Sequence, residues 1–198
     1  MEKLRITIVM LLMAVASYGQ TAKEVLDKAA AVVSNKSGAT ANFVLKGGQM
    51  NDKGTIAIKG RMFHATTPDA IIWFDGKTQW TYIKSNDEVN VVTPKASDLQ
   101  LYNPSTFIYM YKQGYKYTMK KDKGSYEIHL TGSGRKDTLR EMYITIDQKT
   151  FIPSKIRIRH NKGWNTIEVS NFKKAKLSDG TFRFNAKDFP QAEVIDLR

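Results

Sequence analysis

The apolar positions of the chain change period three times. Behind Thr21 come Val25, Leu26, Ala29, Val32 and Val33, three and four residues apart. That interval gathers side chains on one helical face. Thr21 and Glu24 stand at the spacing of a capping box, a hydroxyl at the N-cap and a carboxylate three residues on. Asn35, Ser37 and Gly38 end the run. The pattern predicts one amphipathic helix with a single stripe to bury. From Ala39 the period becomes two. Ala41, Phe43 and Leu45 alternate with Asn42, Val44 and Lys46, and Ile56 and Ile58 with Thr55, Ala57 and Lys59. Arg61 to Thr67 and Ala70 to Phe74 are further strand candidates, and Asp75-Gly76 reads as a two-residue hairpin. Trp80, Tyr82, Val89 and Val91 continue the alternation, which tight turns interrupt in the manner of an antiparallel meander.

The alternation stops at Pro94. Leu99 and Leu101 lead to Asn103, an N-cap residue, with Pro104 at the first helical position and Gly114 as the closing residue. Between them Phe107, Ile108, Met110 and Tyr111 place apolar groups on most of the helix circumference. Such a helix must be covered on several sides. Strands then resume over Tyr115 to Met119, Ser125 to Thr131, Arg140 to Ile146, Lys155 to Arg159 and Thr166 to Phe172. Ser178-Asp179-Gly180 turns before Phe182 and Phe184, and the tail from Phe189 to Arg198 reads as one more edge strand. Roughly ten to eleven strands in one sheet are expected to curve strongly.

The first residues change the picture. Lys3 and Arg5 precede an apolar run from Ile6 to Ala16, and Ser17-Tyr18-Gly19 supplies small residues at the −3 and −1 positions. This is the pattern of a secretory signal, residues 1–19, cleaved before Gln20. The run is short for a membrane span. The rest, 20–198, is read as a single domain, exported and without a lipid anchor. The chain holds 198 residues with a net charge of +12 and no cysteine. The missing cysteine excludes disulfides, thiol catalysis, thiolate metal sites and a lipidated N-terminal cysteine. Export weakens nucleic acid as the explanation of the charge, and no nucleic-acid partner is expected. Lys155, Arg157 and Arg159 occupy outward strand positions, so the charge reads as a solvated exterior. That exterior is suited to transient contact with a membrane surface.

Candidate chemistry is sparse. His64, His129 and His160 fall in separate strands without metal-ligand spacing. Asp52, Asp75, Asp87, Asp147 and Asp179 sit at turns, where Asp is expected on backbone grounds alone. Gly47-Gly48 lies between strands and not before a helix, so it is no phosphate loop. No metal, cofactor or catalytic residue is expected, and the chain is not read as an enzyme. Its aromatic side chains serve equally as an ordinary core or as the wall of an adaptable apolar cavity.

The segments Gly54 to Lys59, Phe63 to Pro68, Ile72 to Tyr82, Ile152 to Ile156 and Val194 to Asp196, in this order behind a signal, resemble the periplasmic lipoprotein carriers, the LolA-like proteins. The resemblance implies a mainly β fold with α: a single strongly curved antiparallel sheet forming an incomplete β-barrel, with helices packed in its mouth as a lid. It implies a monomeric carrier that takes acylated lipoproteins from an inner-membrane ABC transporter, crosses the periplasm and delivers to the outer membrane, where an acceptor receives them. The acyl-chain lining expected on this reading is Phe43, Leu45, Ile56, Ile58, Phe63, Ile72, Phe74, Trp80, Tyr82, Val91, Leu99, Leu101, Phe107, Ile108 and Tyr111. Carriers of this family use a third-strand arginine to hold the lid; aligned on Pro68 that position is Met62, and Arg61, one residue away, is the candidate latch. The alternative is an exported module of the same fold that senses lipids or lipoproteins.

Overall fold

A computed structural model describes residues 20–47, 50–95, 110–132, 140–160 and 163–198. The helix α1 spans Ala22–Val33 and opens as its sequence predicts. The Thr21 hydroxyl accepts from the Glu24 amide at 3.2 Å, and the Glu24 carboxylate accepts from the Thr21 amide at 3.1 Å. Two amides that the helix cannot satisfy internally are thereby paired. Val25, Leu26, Ala29, Ala30 and Val33 form its buried stripe.

The first meander runs β1 (Ala39–Gly47), β2 (Met50–Lys59), β3 (Met62–Thr66), β4 (Ala70–Phe74), β5 (Gln79–Ile83) and β6 (Glu88–Val92). A 3-10 turn at Met110–Gln113 follows and ends at Gly114, whose φ of +88° suits a residue without Cβ. The second meander runs β7 (Lys116–Asp122), β8 (Ser125–Thr131), β9 (Glu141–Asp147), β10 (Pro153–His160) and β11 (Gly163–Lys174). Within each meander consecutive strands pair antiparallel. β1 pairs with β11 and joins the two. After short 3-10 turns at Asp179–Phe182 and Ala186–Asp188, β12 (Glu193–Asp196) adds to β6. The result is one open twelve-stranded sheet with β12 and β7 at its two ends.

Two expectations are corrected. β12 lies parallel to β6, whereas an antiparallel sheet was expected. Asp75-Gly76 does not make a two-residue hairpin: Phe74 pairs with Gln79 across a four-residue loop. The Asp75 carboxylate accepts from the amides of Lys77 and Thr78 and holds that longer loop. The two-residue turn is instead Gly60-Arg61, between paired Lys59 and Met62. The expected lid falls mainly on residues that are not described. Among the described residues α1 is the single α-helix, and residues 96–109, with most of the expected mid-chain helix, lie outside them, as does the expected signal.

Candidate functional site

Residues opposite one another in neighbouring strands share a face of a sheet. The register therefore assigns every strand side chain to one of two faces. On the face that α1 covers lie Tyr126, Ile128 and Leu130 of β8, Met142, Ile144 and Ile146 of β9, and Ile156 and Ile158 of β10, all buried with the helix stripe. Ile156 faces Ile167 of β11, and Ile167 faces Leu45 of β1. From there the same face runs on through Phe43, Ile56, Ile58, Phe63, Ile72 and Phe74. Val33, at the end of α1, packs with Ile58, Phe63, Ala65 and Phe74. The helix end thus marks the border between two apolar regions of one continuous face.

The second region is unevenly covered. Ile58, Phe63 and Phe74 are buried, while Phe43, Leu45, Ile56 and Ile72 keep part of their surface. Phe63 and Phe74 pack ring to ring at 5.5 Å. Gly54 makes room for this arrangement. A Cβ there would stand 2.0 Å from the Thr66 carbonyl oxygen and 3.0 Å from the Phe43 ring. An open depression of about 450 Å³ beside Phe43 and Gly54 belongs mainly to the other face, where Asn42, Val44, Lys53, Thr55 and Ser170 line it.

Three expected lining residues sit elsewhere. Trp73 faces Trp80, Trp80 faces Val91, and Tyr82 faces Val89, all on the face turned away from α1. There the C-terminal segment covers Trp73 and Tyr82. Trp73 meets Phe184 and Phe189 edge-on at 5.6 and 5.5 Å, and Tyr82 meets Phe189 at 4.7 Å. Phe182 and Val89 are fully buried. Lys59 pairs with Asp179 at 2.7 Å and donates to the Leu177 carbonyl at 2.8 Å, while Arg183 pairs with Asp75 at 3.6 Å. Trp80, Tyr82 and Val91 therefore belong to a second core and not to a cavity shared with Phe43. His64 stacks on Trp73 in the same core, and its burial pulls its pKa down.

Tyr111 lies in the helix-side core, and its hydroxyl donates to Asp27 of α1. Lys23 and Lys112 pair with the same carboxylate, at 2.6 and 3.5 Å. The Lys23 ammonium and the Tyr111 hydroxyl hold Asp27 at about 2, below its ordinary 3.8. No sequence spacing announces this tie, which spans 84 residues. Arg61 is exposed in the β2–β3 turn, and Met62 shares the face of His64 and Trp73, away from α1. The lid that Arg61 was expected to hold falls mainly on residues outside those described. Leu99, Leu101, Phe107 and Ile108 lie outside the described residues.

Among the described residues no three acidic or histidine side chains gather as metal ligands, and no helix is long and apolar enough to cross a membrane. What the arrangement offers is apolar surface.

A search of curated proteins finds no match to the chain. Among solved structures, an uncharacterized conserved protein from Thermus thermophilus is similar in fold, with a TM-score of 0.60 and 13% identity, over 89% of this chain and 99% of that one. A LolA superfamily protein from Nitrosomonas europaea aligns over 84% of this chain and 99% of its own, at a TM-score of 0.47 and 13% identity. The Mycobacterium tuberculosis lipoprotein LppX aligns over 80% and 99%, at a TM-score of 0.42 and 10% identity. The family model for the outer membrane lipoprotein carrier protein LolA matches residues 12–162. The chain belongs to that family.

Proposed function

We propose that the protein is an exported, periplasmic carrier that shields the acyl chains of lipoproteins between the inner and outer membranes and acts without catalysis. The observation that carries this reading is the half-covered apolar patch of Phe43, Leu45, Ile56 and Ile72, continuous with the core under α1. An ordinary core would bury these side chains completely; a surface for exchangeable apolar cargo keeps part of them reachable. Energetics set the requirement. Burying acyl chains contributes about 0.8 kcal/mol per CH₂, so a sixteen-carbon chain is worth on the order of 13 kcal/mol. A carrier must come close to that figure without exceeding it, because cargo has to leave for a second membrane. A patch that is only partly lined by protein meets this condition better than a sealed cavity.

The donor on this reading is an inner-membrane ABC transporter, the recipient an outer-membrane acceptor, and the carrier a monomer whose signal is removed before Gln20. Native mass spectrometry of protein purified from its host tests the proposal. Acylated material is expected on the wild type and absent from Phe43→Glu and Ile72→Glu, with the melting temperature of both variants close to wild type. A wild type that is consistently empty, together with intact lipoprotein sorting after gene deletion, would overturn it.

A further inference from the structure

The face of β8–β11 turned away from α1 is built in rungs. His129, Tyr143 and Arg157 stand opposite one another on β8, β9 and β10. On the next rung stand Glu141, Arg159 and Trp164. The His129 ring lies flat on Tyr143, centroids 4.3 Å apart and planes at 4°. The Arg157 guanidinium sits 4.8 Å from the Trp164 ring and 5.5 Å from Tyr143. Tyr143 and Trp164 are themselves 5.8 Å apart.

The two arginines differ in what they have left to give. Arg159 bonds Glu141 at 3.2 Å, and Glu141 also accepts from Tyr143 at 3.1 Å and lies 2.8 Å from His129 Nε2. Burial pushes the Glu141 pKa up, but the bonds from Arg159, Tyr143 and His129 outweigh it and leave the carboxyl below its ordinary range. Glu141 is spent. Arg157 is exposed and touches ring faces, with no carboxylate or other hydrogen-bond acceptor among the described residues. Ring faces orient a guanidinium through its plane and leave its N–H edge unused. Nearby, Lys46 and Lys155 share one carboxylate, Glu168, so the surrounding face also carries surplus positive charge.

We propose that Arg157, held by Tyr143 and Trp164, anchors a docking surface for an acidic segment of a partner protein, one of whose carboxylates takes the free guanidinium edge. Two observations favour a protein over an anionic bilayer. Glu127, Glu141 and Glu168 stand on the same face and would meet a bilayer's uniform negative charge, whereas a protein matches charges one by one. Tyr143, Trp164 and Arg157 are also of the residue types that dominate protein hot spots, and both rings are half-buried, lying against the sheet instead of projecting into a lipid interface. The inference does not rest on the carrier reading, because it concerns the opposite face.

The test uses a fluorescent peptide with single glutamates set among neutral residues, followed by anisotropy at low ionic strength. Arg157→Gln is expected to weaken binding about tenfold, the loss of one charge-assisted bond. Lys155→Gln removes the same charge and is expected to cost less than about threefold. Arg157→Lys should not restore affinity, since an ammonium has no plane to lie between rings. Equal losses in Arg157→Gln and Lys155→Gln would mean diffuse attraction and overturn the proposal. So would Arg157-dependent binding to phosphatidylglycerol vesicles that exceeds binding to the peptide. Arg157→Gln should still carry acylated material from its host. Its loss would overturn the assignment of Arg157 to a surface separate from the cargo patch, while an empty wild type would count against the carrier reading alone.

Discussion

The two halves of the sheet bury different amounts of themselves. In β8 and β9 the alternation is clean: every second residue is buried under α1, and the residues between them face solvent. In β4 it is not. Ala70-Ile71-Ile72-Trp73-Phe74 is apolar throughout because both of its faces are covered, Phe74 on the helix side and Trp73 beneath the C-terminal segment. One half is thus a single-sided layer and the other the middle of a sandwich. Strands that alternate announce one buried face, and strands that do not announce two. The single-sided half has a face free for charged and aromatic rungs; the double-sided half has spent both faces on packing, except where Phe43, Ile56 and Ile72 emerge.

The sharpest way to break this contrast is to remove one anchor from each core. Phe182→Ala should destabilise by about 3–5 kcal/mol and Leu26→Ala by about 2–5 kcal/mol, measured by urea unfolding. If Phe182→Ala cost less than about 1 kcal/mol, the C-terminal segment would be an accessory and not half of a core. Gly54→Ala comes next. Its Cβ would collide with the Thr66 carbonyl, so a loss of about 1–3 kcal/mol is expected, together with weakened amide protection in β2 and β3. Thr21→Ala removes the capping box and should cost about 1 kcal/mol, read as a lower melting temperature.

The smallest effect is one of pH. Asp27 titrates at about 2 in the folded protein against 3.8 without its partners. A carboxyl depressed on folding stabilises above its unfolded value, and that stability is lost as pH falls through the folded one. The advantage of wild type over Asp27→Asn should therefore hold above pH 3.8 and shrink towards pH 2 in thermal melts. A difference that stays constant across this window would exclude the Lys23–Asp27–Tyr111 tie as its source.

What was legible in the sequence follows the same contrast. α1 and its capping box read directly, because both signals are local. In the second meander the buried face of β8, β9 and β10 read directly, since polar and apolar positions alternate there, while the ends of β7 and β11 did not. The faces of Trp80, Tyr82 and Val91 did not. Alternation says which residues share a face, but not which of two apolar faces turns inward. Placing them requires knowing that Phe184 and Phe189, distant in sequence, return to cover Trp73. The parallel docking of β12 has the same origin: the covering segment crosses the back of β3 and β4 before the chain reaches β6. The Asp75 loop was misread because Asp-Gly satisfies a two-residue turn equally well, and the side-chain bonds to Lys77 and Thr78 decide it.

The pairing of β1 with β11 has a kinetic consequence. Every hairpin in the two meanders closes over a short stretch of chain, but this seam brings together residues such as Lys46 and Glu168, 122 positions apart. Loop entropy grows slowly with length, about 0.6 kcal/mol per doubling, so the seam is cheap at equilibrium. Rates follow sequence separation much more steeply. The two meanders are therefore expected to form early, and the seam to be the late step that makes them one sheet. α1 depends on it too, for it precedes β1 in the chain yet packs on β8, β9 and β10. The helix synthesised first finds its seat only after strands made near the end of the chain have arrived.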